Sequence, residues 1–183
     1  MAARAGAEFI EGLRAAPRDI WIEGKPVKDV ATHPAFHNVI SSLAALYDVQ
    51  HDPTLRESMT YVSPSSGQRV GLSFLVPRSR EDLAHVRAMM KRWADYSGGM
   101  MGRTPDYLNR SLMAYAAAGD YCGENDPRFG DNSRRYYEHV REHDLVLTHT
   151  LINPQANRST GPGGQADPYL AARVVKETSD GLL

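Results

Sequence analysis

Cysteine is almost missing from this sequence: Cys122 stands alone among 183 residues. A single thiol excludes an internal disulfide, a paired-cysteine zinc site and a cluster ligated by this chain's own cysteines. Long apolar runs are missing too; none approaches the ~20 residues of a membrane-crossing helix. Between Met1 and Ala16, the charged residues Arg4, Glu8, Glu11 and Arg14 interrupt the apolar ones, unlike the core of a signal peptide. An excess of charge is equally absent. The net charge is −1 and the basic residues are scattered, which leaves no footprint for nucleic acid or anionic lipid. There is no P-loop and no Gly-x-Ser-x-Gly elbow, and Gly161-Pro162-Gly163-Gly164 does not follow a strand as a dinucleotide fingerprint does. These absences point to a cytoplasmic protein with no membrane, nucleic-acid or metal partner.

What is present is mostly helical patterning. Phe9, Ile10 and Leu13 place a short amphipathic helix between Gly6 and Ala15, ended by Pro17. Asp19 to Gly24 alternates and turns, as a short strand does. Phe36, Val39, Ile40, Leu43 and Leu46 predict a helix over Pro34 to Tyr47. Met59 to Val62 and Val70 to Phe74 flank Ser63-Pro64-Ser65-Ser66-Gly67, which predicts a small hairpin. Ser79 with Asp82 forms a capping-box start for a helix that runs toward Tyr96 and stops at Gly98-Gly99. Pro105 suits the first turn of the next helix, which closes near Gly119. Gly123 to Asn132 reads as a polar loop, and Ser133 to His143 as a helix with a charged outer face. From Asp144 the pattern changes. Asp144 to Ile152 reads as extended, and Asn153 to Pro168 as a long loop of the kind that carries function. Ala172 to Thr178 alternates like a strand, with Ser179-Asp180-Gly181 as a hairpin turn. A lone hairpin is marginal in water, so this end of the sequence reads as a β unit cut short.

Three residues carry the chemistry. Arg103 lies at the start of a helix, where unpaired N–H groups favour anions, and its guanidinium suits a phenolate or carboxylate. Tyr107, one turn on, shares its face. The plainer alternative is an exposed arginine and a half-buried core tyrosine. His149 lies where a charged helix gives way to an extended segment; it is suited to act as a general base near neutral pH, or else is a core histidine satisfied by backbone. His139-Val140-Arg141-Glu142-His143 spells the H-x-x-E-H of some zinc proteases, but its charged neighbours read as a solvated face and no third ligand is evident. No metal is expected.

The segment Met101-Gly102-Arg103-Thr104-Pro105-Asp106-Tyr107-Leu108-Asn109 resembles the oxygenase components of the 4-hydroxyphenylacetate 3-monooxygenase family, the two-component flavin-dependent phenol hydroxylases. The likeness continues through Met113 to Ala117, Tyr136-Tyr137, Leu151 to Arg158, Asp167-Pro168-Tyr169 and Val174 to Thr178, in order along essentially the whole chain. It implies an acyl-CoA-dehydrogenase-like architecture. Residues 1–145 would be the mainly α N-terminal domain with its small β hairpin, and residues 146–183 the incomplete start of the middle β-barrel domain. It implies reduced FAD from a separate reductase, dioxygen as co-substrate, and ortho-hydroxylation of a 4-substituted phenol to a catechol through a flavin C4a-hydroperoxide. It assigns Arg103, Tyr107 and His149 to the phenol, and Gln155, Ala156, Asn157 and Arg158 to the flavin. Relatives assemble as homo-oligomers.

Family members are more than twice as long, so the resemblance leads us to expect a truncated oxygenase. Two other readings stay open. One is a non-catalytic helical interaction module, or an inactive fragment of such an oxygenase. The other is a flavin-dependent hydroxyacyl-CoA dehydratase, against which the solitary Cys122 counts, because that enzyme's cluster needs several protein ligands.

Overall fold

The computed structural model describes residues 2–99, 105–148, 157–161, 164, 174–179 and 181–182. The chain divides into two compact units, Met1–Leu147 and Thr148–Leu183.

In the first unit the helices begin where local chemistry lets them. Helix α1 (Gly6–Ala15) starts with the Glu8 carboxylate accepting from the Ala5 N–H at 2.7 Å. Strands β1 (Trp21–Ile22) and β2 (Lys25–Pro26) make a two-residue hairpin around Glu23 and Gly24, both at positive φ. Helix α2 (His37–Val49) begins three residues later than the sequence suggests, because Pro34 sits in the turns that precede it. A short helix, α3 (Arg56–Met59), leads into the antiparallel pair β3 (Thr60–Val62) and β4 (Arg69–Gly71), with Tyr61 opposite Val70.

The predicted second strand ends early. Leu72–Phe74 forms a 3-10 turn, because Leu72 and Phe74 are claimed by different cores. Leu72 packs with Leu46, Met59, Val86, Met89 and Trp93, and Phe74 packs with Leu112, Met113, Ala116, Tyr137 and Val140. A third cluster joins α1 to α2 through Phe9, Ile40, Ala44 and Tyr47.

Helix α4 (Arg80–Tyr96) carries the predicted capping box: Ser79 Oγ accepts from the Asp82 N–H at 3.0 Å, and the Asp82 carboxylate accepts from the Ser79 N–H at 2.9 Å. Gly98 and Gly99 stop it at φ of 59° and 72°, values that side chains rarely adopt. Helix α5 (Pro105–Ala117) starts at the predicted proline and is followed by the single turn α6 (Gly119–Cys122).

Helix α7 (Pro127–Glu142) corrects the sequence reading, which left Gly123 to Asn132 as a loop. Asp126 caps it by accepting from the Arg128 N–H at 2.9 Å, and Pro127 occupies the first helical position. Residues 144–148 are irregular rather than a strand, and the remainder of the predicted extended run lies outside the described residues.

In the second unit, Asn157 Oδ1 accepts from both the N–H and the hydroxyl of Ser159, at 3.0 and 2.6 Å. Strands β5 (Glu177–Thr178) and β6 (Gly181–Leu182) pair antiparallel about the predicted turn. Among the described residues, no helix is long and apolar enough to cross a membrane.

Candidate functional site

The start of α5 is where the described structure meets the predicted site. Tyr107 lies in its first turn and is 41% exposed, and its carbonyl accepts from Ser111 Oγ at 3.0 Å. Tyr107, Ser111 and Tyr115 follow one another at four-residue spacing along one side of the helix, whereas Leu112, Met113 and Ala116 are buried. At that exposure Tyr107 is half-buried, as either reading of it allows. Arg103 and His149 lie outside the described residues, as do Gln155 and Ala156. Asn157 and Arg158 are exposed in the second unit, where the Asn157–Ser159 turn frames Arg158.

The first turns of α5 are fastened to the 3-10 turn beneath them. Asn109 is 2% exposed and donates through Nδ2 to Ser73 Oγ at 2.9 Å. Arg110 Nη1 donates to the carbonyls of Leu75 at 2.5 Å and Ser73 at 3.3 Å. Tyr137 of α7 donates its hydroxyl to the Phe74 carbonyl at 2.5 Å, closing the turn from the other side. Helix termini leave backbone groups to be satisfied from outside, and here side chains from two helices satisfy the carbonyls of one irregular turn.

A second buried knot gathers around Asp144, which takes up positive φ (45°) just past the end of α7. Its carboxylate accepts from the Arg4 N–H and from Gln50 Nε2, both at 3.0 Å. Its carbonyl accepts from Arg4 Nε at 2.8 Å and from the Tyr47 hydroxyl at 3.1 Å. The carboxylate thus receives two neutral N–H donors, while the guanidinium spends Nε on the backbone carbonyl. Burial pushes the Asp144 carboxyl above the ordinary aspartate range against those bonds, and burial also pushes the Tyr47 phenol up, helped by the Asp144 charge. Beyond Asp144 the chain is held by alternate packing: Leu145 and Leu147 against the Phe74 cluster, and Val146 against the Phe9 cluster.

A third knot joins α7 to the β3–β4 loop. Glu142 accepts from the hydroxyls of Ser63 and Ser66, both at 2.5 Å, and from Arg141 Nε at 2.7 Å. Arg141 Nη2 reaches Ser65 Oγ at 2.7 Å, and its guanidinium lies over the Tyr137 ring. His139 and His143 of the H-x-x-E-H pattern are exposed with their rings 4.5 Å apart, and Glu142 of that pattern belongs to this serine cluster. Among the described residues no group of histidine, cysteine and carboxylate side chains could hold a metal.

Ser73, Gln50, Asn109 and Asp144 escaped the sequence reading, although one signal was available. Asn109 falls at i, i+3, i+4 and i+7 with Leu112, Met113 and Ala116, a polar residue on an apolar stripe.

The described residues form a mainly helical fold with small antiparallel hairpins. Residues 5–183 match the family described as 4-hydroxyphenylacetate 3-hydroxylase N terminal, and the chain belongs to that family. It is 50% identical over 181 residues to the 4-hydroxyphenylacetate 3-monooxygenase oxygenase component of Thermus thermophilus, covering 99% of this chain and 36% of the relative. It is 45% identical over 183 residues to the corresponding component from a Geobacillus species, covering 100% of this chain and 37% of the relative. A crystal structure of such an oxygenase component complexed with FAD and 4-hydroxyphenylacetate matches with a TM-score of 0.85 at 50% identity, over 98% of this chain and 37% of that one. The chain thus spans little more than a third of the length of these relatives.

Proposed function

We propose that this chain is the N-terminal, substrate-side part of the oxygenase component of a two-component aromatic monooxygenase. The reaction is ortho-hydroxylation of a 4-hydroxyphenylacetate-like phenol to a catechol, in the cytoplasm. The observation that carries this is Tyr107, held exposed at the start of α5 by Asn109 and Arg110, in a chain that matches a solved oxygenase with bound FAD and phenol.

Each site residue has a physical task. An electrophilic oxygen attacks an electron-rich ring faster, so the phenol must lose its proton. His149 takes that proton as general base, Arg103 stabilises the phenolate, and Tyr107 orients the ring oxygen. Gln155, Ala156, Asn157 and Arg158 would hold FAD. The donor set fits that cofactor: the exposed Arg158 guanidinium, framed by the Asn157–Ser159 turn, and the side-chain amides suit a flavin's carbonyls and diphosphate. Reduced FAD from a separate reductase, with dioxygen as co-substrate, supplies the oxygen that is transferred. Residues 1–145 form the helical domain and residues 146–183 begin the β-barrel domain of an acyl-CoA-dehydrogenase-like architecture, which works as a homo-oligomer. Val174 and Val175, exposed beside the two-residue pair β5–β6, fit a barrel that continues elsewhere.

One observation favours the interaction-module reading: Tyr115, Tyr121, Phe129 and Tyr136 are all exposed on α5, α6 and α7. A chimera separates the two. This chain replaces the matched part of the Thermus thermophilus oxygenase, and the product from 4-hydroxyphenylacetate, reductase and FAD is identified. Catechol formation at a rate within tenfold of the parent is expected. A folded, FAD-binding chimera that consumes reductant and yields no catechol supports the module instead.

A further inference from the structure

The Asn109 anchor and the Asp144 knot meet at one point, the α-carbon of Gly71. A Cβ added there would stand 2.8 Å from Gln50 Oε1, 3.6 Å from Asp144 Oδ1 and 3.6 Å from Ser73 Oγ. Gln50, Ser73, Asn109 and Asp144 are each at most 4% exposed. Their bonds run in sequence: Arg4 and Gln50 donate to Asp144, the Gln50 carbonyl oxygen rests against Gly71, and Ser73 Oγ beside it receives Asn109 Nδ2. Two side-chain oxygens along this line, Gln50 Oε1 and Asn109 Oδ1, are buried without a hydrogen-bond donor. Leaving a buried acceptor unmatched is costly, so neither amide is there to maximise its own bonding. Each uses its N–H to fasten a neighbour and its oxygen to fill a shared contact. Interiors this closely packed transmit displacement, because no member can move without another giving way.

We propose that Gln50, Gly71, Ser73 and Asn109 form a buried relay that sets the first turns of α5 by the placement of Asp144, making Gln50 and Asn109 positioning residues for Tyr107. That role rests on the assignment of Tyr107 to the substrate phenol; the relay itself does not. The relay needs glycine at 71 for space alone. Its φ is −59° and ψ 135°, which any residue adopts, so alanine there suits the backbone and has only the flexible end of Gln50 to displace.

The test uses this chain as it stands, with variants Gly71→Ala and Ser73→Ala and a control, Ser79→Ala, which removes the α4 N-cap, a bond made to Asp82 and to none of the relay residues. Amide hydrogen exchange is followed in α5, and the ring signal of Tyr107 by NMR, with denaturant used to match global stability. Both relay variants are expected to speed exchange over residues 109–113 at least tenfold and to shift the Tyr107 signal, with the control leaving both unchanged. Gly71→Ala is the gentler variant and keeps the test decisive should Ser73→Ala fail to fold. Exchange in α5 that stays within twofold of wild type in Gly71→Ala overturns the relay, as does an equal response from Ser79→Ala. A final arm adds 4-hydroxyphenylacetate to the unmodified chain. Movement of the Tyr107 signal supports its role as a positioned substrate residue. A relay that responds with no effect of the phenol on Tyr107 overturns the substrate role and leaves the mechanical coupling standing.

Discussion

Glu142 and Asp144 stand two residues apart at the end of α7, and the fold pushes their carboxyls in opposite directions. Glu142 sits at the rim, where burial raises it but two serine hydroxyls and the Arg141 Nε–H together outweigh that and hold it below the ordinary glutamate range. Asp144 is enclosed, receives only an amide N–H from the backbone and one from Gln50, and is held above the ordinary aspartate range by its burial. Both tie α7 to a distant segment, Glu142 to the β3–β4 loop and Asp144 to the N-terminus and the end of α2. The difference lies in how far burial outruns the bonds that favour the charge. At the rim, two hydroxyls and a guanidinium together outweigh the loss of water; in the enclosed site, two N–H groups and the nearby Arg4 and His51 charges do not. The rim knot is an electrostatic fastening, and the enclosed knot is a packing fastening that happens to be polar.

Substitutions break this contrast in a definite order. Asp144→Ala has the largest effect, because it strands the Arg4 N–H and Gln50 Nε2 without an acceptor; a loss of about 3–5 kcal/mol in urea denaturation is expected. Glu142→Gln keeps the shape and loses the charge, and costs about 1 kcal/mol at neutral pH because the site is partly open to solvent.

The pH dependence sharpens the comparison, since the signs differ. Glu142 is lowered on folding, so its contribution is present above its ordinary 4.5 and is lost as pH falls through the lower folded value. Asp144 is raised, so its contribution is complete below its ordinary 3.8 and is lost as pH rises through the higher folded value. The deficit of Glu142→Gln relative to wild type should therefore vanish in acid, whereas that of Asp144→Asn should be greatest in acid and shrink toward neutrality. Parallel slopes in the two variants would dissolve the contrast. Asp126→Ala, which removes the cap at the other end of α7 together with the surface ion pair to Arg128, should lower the melting temperature least of all.

The same contrast explains what was legible in the sequence. Helices α1, α4 and α5 announce themselves through local signals: an apolar stripe closed by Pro17, the Ser79–Asp82 box closed by two glycines, and Pro105 at a first turn. The first turns of α7 did not, because Gly130 and its polar neighbours imitate a loop. Gly130 is helical, and it is glycine because a side chain would strike the Gly119 carbonyl where α6 crosses α7. That contact is tertiary, so no local pattern reveals it. The available clue was Asp126-Pro127, a cap followed by a first-turn proline. The 3-10 turn at Leu72–Phe74 was hidden similarly, since alternating apolar residues look like a strand until their two partners belong to different clusters. At the candidate site, Tyr107 is proposed from the family motif, whereas the buried polar groups beneath α5 were missed because Ser73, Gln50 and Asp144 come together from segments distant in sequence. Arg103, His149, Gln155 and Ala156 lie outside the described residues, so their assignment rests on the motif alone.

Arg103, Tyr107 and His149 are proposed to bind and ionise a phenol. That proposal is tested most directly by the rate of catechol formation from 4-hydroxyphenylacetate in the chimeric oxygenase carrying Arg103→Ala, Tyr107→Phe or His149→Ala, one at a time. A loss of about 100-fold or more is expected for His149→Ala, the scale of a missing general base, and smaller losses for the other two. An active chimera that keeps its rate within threefold in all three variants would contradict it.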